Sequence, residues 1–355
     1  MKKPLANAAL FLASLAVGLA LSEYLVRRHA AGRTRVNWHA RMVPRPAPGL
    51  DFALASCPRC TPPINALGFR GAEVAPEKAP GVYRIVIAGD SATFGSEVPD
   101  EGGTVPGSLE RLLNERSRGA RFEVVNAGVP GYNIRQVYFN LVHKVLPLKP
   151  DFVIYSFFPN DLDNELYEAG TLNGHDTLVF KLYDGPEGVP LAFVPDAVHG
   201  WLNENSFLYK YATYLIHAAR IGRAGRDAAG IMPHQTANLE FLDRMADLCR
   251  RHGAMFAVAT ETYSRCAQFM APGDPIDLRH GPWVCDGARR AVDAVLARAA
   301  AAKIPAVDLQ PAVAGLPYPE IVVDSRDHYT ARGNRAMAEA LYGFLAQRYG
   351  REPTR

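Results

Sequence analysis

The chain has little net charge and no concentration of basic residues. Its 39 Lys and Arg residues nearly balance 36 Asp and Glu residues, which leaves a formal net charge of +3 over 355 residues. No basic stripe is interleaved with aromatic residues, so nucleic acid is not an expected partner. The chain also lacks internal repeats and long low-complexity runs. With 48% hydrophobic and 21% charged residues, it has the composition of a globular protein with a sizeable core.

Motifs for a bound nucleotide or metal are missing as well. A phosphate-binding loop between a strand and a helix is one alternative, but the loop 89–95 is neither a GxGxxG sequence nor a Walker A motif and has no P-loop lysine. No pair of histidines stands at the spacing of zinc ligands. We therefore expect an activity that requires no cofactor and no metal.

Cysteine is scarce, with five residues in the whole chain. Cys57 and Cys60 form a CxxC sequence, but no second CxxC completes a zinc site. The motif lies in a Pro-rich segment and not at a strand–helix junction, which argues against a thioredoxin-like role. In an oxidising compartment we expect a local disulfide there. The three other cysteines are predicted to be small buried hydrophobic residues: Cys249, Cys266 and Cys285.

The N-terminus departs from the globular pattern. Two lysines precede an apolar run over residues 5–21, and the next strong polar break is Arg27-Arg28. A membrane span needs about 20 apolar residues, so this run is near the lower limit. We predict an uncleaved membrane anchor over residues 1–28; the alternative is a signal peptide cleaved near residues 18–20. The positive-inside rule alone would place the C-terminal side in the cytoplasm.

Strands and helices alternate in the rest of the chain. After a Pro-rich stalk and lead-in segment (29–80), an apolar run over residues 82–88 predicts a central parallel strand. The alternation that follows to residue 350 predicts a doubly wound parallel sheet between helices. An insertion at about 162–234 interrupts it. An insertion after the third strand would lie above the carboxyl edge of the sheet, either as a lid that selects substrates or as a packing element.

Four short motifs stand where these strands and helices meet. They are Gly89-Asp90-Ser91, Asn126–Gly131, Pro159-Asn160-Asp161 and Asp324–His328. Each is weak alone, but in this order they resemble the four blocks of the SGNH (GDSL) hydrolase family, over roughly residues 64–348. The resemblance implies a three-layer α/β/α sandwich with a flavodoxin-like sheet and a serine esterase activity. A short Asn65–Gly71 motif also resembles one that precedes the first block in membrane-anchored members, and its role is not derivable from the sequence.

Acyl transfer needs a nucleophile, a base and a group that orients the base. Ser91 is the predicted nucleophile and His328 the predicted base. The family has Asp three residues before the histidine, but Ser325 stands there. Asp324 is the preferred third member because it follows a strand-like run and needs one extra loop residue; Asp327 is the alternative, and so is a Ser–His dyad.

The resemblance also implies three donors to the oxyanion. They are the backbone N–H groups of Ser91 and Gly131 and the side-chain amide of Asn160. Gly128 is the rival glycine. Pro159 replaces the glycine that usually precedes the asparagine. Asp90 and Asp161 are expected to support the loops without taking part in the chemistry.

These observations predict a serine hydrolase that cleaves an O-acyl ester through an acyl-serine intermediate. An O-acyltransferase of the same fold and an inactive anchored scaffold in envelope polysaccharide assembly are the alternatives. The resemblance places the catalytic domain outside the cytoplasm, in the periplasm or at the cell surface, against the strict charge count. The expected partners are an O-acylated small molecule, glycan or lipid, and the membrane through the N-terminal segment.

Overall fold

A computed structural model describes most of the chain. It covers residues 2–31, 42–47, 50–96, 98–117, 119–162, 167–172, 175–180, 198, 206, 208, 238–262, 281–321 and 328–349. Asp324, Asp327 and most of the predicted insertion at 162–234 lie outside these residues. The chain divides into two compact units, one formed by residues 1–40 and 170–229, the other by residues 41–169 and 230–355.

Helices and strands alternate along the described residues. The helices are α1 (Lys2–Ala31), α2 (Ser91–Phe94), α3 (Val105–Arg116), α4 (Ile134–Asn140), α5 (Glu240–Arg251), α6 (Gly281–Ala301), α7 (Gln310–Ala314), α8 (Tyr318–Ile321) and α9 (Ala331–Tyr349). The strands are β1 (Met42–Ala47), β2 (Leu50–Leu54), β3 (Val82–Gly89), β4 (Arg121–Gly128), β5 (Phe152–Phe157), β6 (Tyr167–Leu172), β7 (His175–Phe180), β8 (Met255–Thr260) and β9 (Ala306–Asp308). The order of the core strands and the long helices matches the predicted alternation.

Five parallel strands form the central sheet in the order β4-β3-β5-β8-β9. Numbered among themselves, they run 2-1-3-4-5, which is the flavodoxin-like order. Ile85 and Ile87 of β3 pack against α3 and α9 on one face of the sheet. Val86, which lies between them in the strand, is also fully buried. This confirms the predicted α/β fold with a doubly wound parallel sheet. In such sheets, ligands bind at the carboxyl edge where the strand order reverses, which here is between β3 and β5.

Three local predictions differ from the structure. The β-branched run that begins at Ile321 was expected to be strand-like, but Ile321 ends helix α8, and residues 322–323 lie outside the described part. Proline is tolerated in the first turn of a helix, and the buried Ile321 side chain packs into the core, so tertiary contacts prevail over β propensity. The sequence also predicts a helix over residues 133–145 that ends before Pro147; the structure has an α-helix only to Asn140, followed by a π-helix over Leu141–Val145. The antiparallel pair β6–β7 was not predicted.

The segment before β3 packs on the edge of the sheet. Cys57 and Cys60 form the expected disulfide, and Cys249 is a buried free thiol. Isolated bridges then connect Cys57 to Ile64, Ile64 to Arg70 and Arg70 to Asn126 of β4. The lead-in segment is thus hydrogen-bonded, step by step, to the strand beside β3.

Helix α1 belongs to the other compact unit and exposes apolar side chains, among them Leu10, Phe11 and Val17. The Glu23 carboxylate accepts hydrogen bonds from the Ser206 hydroxyl at 2.9 Å and the Leu208 amide at 2.8 Å. In the part of the chain that the structure describes, no helix is both long and apolar enough to cross a membrane.

Candidate active site

The turn after β3 presents Ser91 at the carboxyl edge of the sheet. Asp90 caps the single-turn helix α2, and its Oδ1 accepts from the Ala92 amide at 2.9 Å. A Cβ atom at Gly89 would lie 2.2 Å from Thr93 Oγ1 and 2.6 Å from the Ser156 carbonyl oxygen, so only glycine fits there. The sequence Gly-Asp-Ser therefore meets three local demands: a close approach, a helix cap and an accessible hydroxyl.

His328 reaches Ser91 from the other end of the chain. Its Nε2 lies 2.8 Å from Ser91 Oγ, across 237 residues of sequence. In the tautomer that carries its proton on Nδ1, the imidazole accepts the hydroxyl proton at Nε2. Ser91 Oγ also lies 3.3 Å from Asp90 Oδ2, but the shorter contact with His328 is the better-formed hydrogen bond. Both side chains are half-buried, so a substrate can approach them.

Asn160 also lies at this edge, in a 3₁₀ turn after β5. Its side chain hydrogen-bonds the Asp90 carboxylate, as do Ser91 and Ala92. Burial raises the pKa of Asp90 to about 6, although these hydrogen bonds favour the charged form and oppose the rise. A side-chain amide has two N–H donors, so the bond to Asp90 leaves one for another acceptor. Asn160 Oδ1 is buried without a hydrogen-bond partner among the described residues.

The two candidate glycines after β4 differ in their surroundings. Gly128 ends β4 beside Gly89, and a Cβ atom there would lie 2.4 Å from the Phe94 backbone nitrogen. Gly131 lies in the following turn with φ of +83°, a left-handed conformation that favours glycine. Gly128 therefore serves a close contact between β4 and the nucleophile turn. This leaves Gly131, in the loop after β4, as the glycine whose backbone N–H is the candidate donor to the oxyanion.

Two more buried acids, of which the sequence singled out only Asp161, lie close to Asp90. Asp161 accepts from the Tyr155 hydroxyl at 2.7 Å and from the Phe158 amide at 3.2 Å. Glu261 accepts from the Ser156 hydroxyl at 2.5 Å. Burial raises the pKa of Asp161 well above its usual range and that of Glu261 to about 7, and the Asp90 carboxylate adds to both shifts. Asp161 thus anchors its loop, as expected, whereas no sequence motif marks Glu261.

Within the described residues, no group of three or more His, Cys, Asp and Glu side chains is arranged to hold a metal ion. The two candidate orienting acids, Asp324 and Asp327, lie outside the described residues. What the described residues bring together is a serine, an imidazole at hydrogen-bond distance and the Asn160 amide, which hydrogen-bonds the neighbouring Asp90; the serine and the imidazole are the nucleophile and the base of acyl transfer.

A family model shows which protein family the chain belongs to. The model of the GDSL-like lipase/acylhydrolase family matches residues 87–336, more than half of the chain. The chain belongs to this family. It is accordingly an enzyme of the GDSL type, an esterase or acyl hydrolase, with the SGNH hydrolase fold.

Solved structures with a similar fold differ strongly in sequence from this GDSL-type chain. TesA is 15% identical with a TM-score of 0.41, and 74% of this chain and 98% of TesA are covered. An α/β hydrolase named LAE5, from the metagenome of Lake Arreo, Spain, is 16% identical with a TM-score of 0.46, covering 74% and 95%. The acetylxylan esterase Axe2 of Geobacillus stearothermophilus is 17% identical with a TM-score of 0.43, covering 74% and 94%. A search among curated proteins found no match.

Proposed function

We propose that this protein cleaves an O-acyl ester through a covalent acyl-Ser91 intermediate. The observation that carries the proposal is the 2.8 Å contact between His328 Nε2 and Ser91 Oγ. An unassisted serine hydroxyl is a weak nucleophile, and a base at this distance can take its proton as the hydroxyl attacks. Asn160, from another block of the GDSL family signature, lies close by and hydrogen-bonds Asp90, the residue before the nucleophile.

The reaction runs in two halves. Ser91 Oγ attacks the acyl carbon while its proton passes to His328 Nε2; His328 then returns the proton to the leaving alcohol as the ester C–O bond breaks. In the second half, a water molecule gives a proton to His328 and attacks the acyl-serine, and the acid leaves as Ser91 recovers its proton. The backbone N–H groups of Ser91 and Gly131 and the free amide N–H of Asn160 are the proposed donors to the oxyanion.

An acid beside His328 would complete a triad. Asp324 is the proposed orienting residue, and Asp327 is the alternative. A carboxylate at the imidazole nitrogen that faces away from the serine fixes the reactive tautomer, and its loss typically costs about 10⁴ in turnover. Comparing Asp324→Asn with Asp327→Asn distinguishes the two, and a small effect of both variants favours a Ser–His dyad.

We further propose that the enzyme works outside the cytoplasm, held to the membrane by its N-terminal segment. The Cys57–Cys60 disulfide supports an oxidising compartment, and the exposed apolar side chains of α1 support contact with a lipid surface. An O-acylated glycan or lipid is the proposed substrate, and this part of the proposal rests on the proposed location. Fractionation of cells that express the full chain tests the membrane attachment: recovery in the soluble fraction would contradict it.

A fluorophosphonate probe tests the catalytic proposal directly. We expect the full-length protein to form an adduct that mass spectrometry maps to Ser91, and Ser91→Ala and His328→Ala to abolish it. Ser117→Ala and His252→Ala are the controls, because the Ser117 hydroxyl donates to the Ala120 carbonyl and His252 hydrogen-bonds the Leu248 carbonyl, both away from the nucleophile turn. Both controls should label like the wild type. A folded wild type that does not label would overturn the proposal and leave the anchored scaffold as the better account.

Hydrolysis and transfer are separated with the same protein. An O-acetylated oligosaccharide is incubated with the enzyme, with and without a second, unacetylated oligosaccharide of distinct mass. Release of acetate that does not depend on the acceptor supports the proposed esterase. Acetyl groups found mainly on the acceptor would instead support an acyltransferase.

A further inference from the structure

The side chain of Arg70 is fully buried, although it lies in the lead-in segment outside the sheet. It has no exposed surface and pairs with Glu101, whose carboxylate is 2.6 Å from Arg70 Nε. A buried guanidinium is costly unless its donors are satisfied. Each of its other nitrogens also has partners, and all of these partners are backbone carbonyl oxygens near the nucleophile.

Those carbonyls belong to the end of helix α2 and to the loop after it. Arg70 Nη1 donates to Phe94 at 3.0 Å and Gly95 at 2.7 Å, and Nη2 donates to Val98 at 2.6 Å. The guanidinium carbon also lies 5.4 Å from the centre of the Phe94 ring. The last carbonyls of a helix have no partner within the helix, so Arg70 supplies one.

The length of α2 makes this contact relevant to the reaction. The helix spans only Ser91 to Phe94, so its two ends are one turn apart. Gly95 closes it with φ of 74°, and its N–H bonds back to the Ser91 and Ala92 carbonyls. A shift of the Phe94–Gly95 peptide therefore moves Ser91 with it, and Ser91 Oγ must stay at hydrogen-bond distance from His328.

A second buried arginine has the same chemistry at the opposite end of β3. Arg84 Nε lies 2.6 Å from the Glu123 carboxylate. Its Nη1 donates to the carbonyls of Pro76 and Leu148, and its Nη2 to that of Ala75. The side chains of Arg70 and Arg84 are 0% and 1% exposed, and those of their partner glutamates are 35% and 34% exposed. Of these two arginines, Arg70 touches the nucleophile turn and Arg84 does not, so Arg84 provides a matched comparison.

We infer that Arg70 is a positioning residue for catalysis: through its bonds to the carbonyls that follow Ser91, it holds the nucleophile turn and sets the position of Ser91 relative to His328. This assigns a function to the Asn65–Gly71 motif, since Asn65 in turn holds this segment. Its Oδ1 accepts from the Leu67 and Phe69 amides at 3.0 Å each. The inference rests on the proposed function, because it concerns the reactivity of Ser91.

The experiment compares Arg70→Met with Arg84→Met in the full-length protein. Both changes remove an equivalent buried ion pair and equivalent bonds to carbonyls, so both should lower the melting temperature similarly. At a temperature where both are folded, we expect Arg70→Met to lower kcat and the rate constant of fluorophosphonate labelling about 10- to 100-fold, with KM nearly unchanged. Arg84→Met should keep both rates within about twofold of the wild type. If a Met variant fails to fold, Arg70→Lys and Arg84→Lys replace the pair.

Amide hydrogen exchange gives a readout that does not depend on turnover. We expect Arg70→Met, and not Arg84→Met, to lose protection at residues 92–98. Equal kinetic losses in the two variants, or equal protection at the turn, would overturn the inference. A wild type that does not react with the probe would contradict the proposed function instead, and exchange alone would then decide whether Arg70 holds the turn.

Discussion

Replacing Glu261 with glutamine should change how the stability of the protein depends on pH. Glu261 follows β8 directly and is 2% exposed. Its Oε1 accepts from the Ser156 hydroxyl at 2.5 Å, and its backbone N–H donates to the Phe157 carbonyl at 2.9 Å. The acidic groups around it include Asp90 and Asp161, which are also buried. Glutamine is close to glutamate in shape and can still accept from Ser156, but it carries no charge.

The size of the effect follows from the pKa of this carboxyl. Burial raises the pKa of Glu261 from its ordinary 4.5 to about 7. Below pH 4.5 both the folded and the unfolded state keep the proton, and the group costs nothing. Between pH 4.5 and about 7 the unfolded state loses its proton first, so the stability of the folded state falls as the pH rises. The full loss, reached above about pH 7, is about 3 kcal/mol.

Urea unfolding at pH values from 4 to 8 measures the effect. The free energy of unfolding of Glu261→Gln, less that of the wild type, should increase by about 3 kcal/mol across this range. Ser156→Ala serves as a directional control: the Ser156 hydrogen bond favours the carboxylate, so its loss should extend the fall in stability to higher pH. Parallel curves for Glu261→Gln and the wild type would refute the reasoning, because they would mean that folding does not change the pKa of Glu261.

One further prediction concerns a contact of the nucleophile turn, and another concerns the disulfide of the lead-in segment. Gly128→Ala places a Cβ atom 2.4 Å from the Phe94 backbone nitrogen, so we expect a loss of about 1–3 kcal/mol in urea unfolding and slower fluorophosphonate labelling; a wild-type labelling rate would contradict this. Cys57→Ser/Cys60→Ser removes a disulfide that closes a short loop, so we expect about 2 kcal/mol lower stability, measured against the wild type with and without reductant. If the wild type has the same melting temperature with and without reductant, the prediction for the disulfide is contradicted.

The parts of the fold that could be predicted depend on local sequence pattern. The run from Val82 to Gly89 is buried along most of its length, and a strand buried on both faces needs a continuous apolar sequence. The motif residues follow strands, and the carboxyl ends of parallel strands share one edge. That is why sequence alone could place Ser91 and Asn160 on the same side of the sheet before any distance was known.

The residues that sequence reasoning missed bond to groups that are distant in the sequence. Arg70 bonds carbonyls that lie 24 to 28 positions away, and Glu261 accepts from a hydroxyl 105 positions away. Carbonyl oxygens are present at every residue, so no sequence pattern marks which of them an arginine will reach. The Ser156–Glu261 pair exists because β5 and β8 are neighbours in the sheet, which their order in the chain does not show.

The position of Arg70 bears on where the catalytic domain begins. The family model starts at residue 87, and the alternation of strands and helices suggests a start near residue 81. Both limits leave out Arg70, whose side chain is fully buried. The turn that presents Ser91 is therefore held partly by a segment outside the recognised domain. A chain cut at either limit would keep every residue of the family motifs and would still lose a support of the nucleophile, so the functional unit is better taken to begin at or before Asn65.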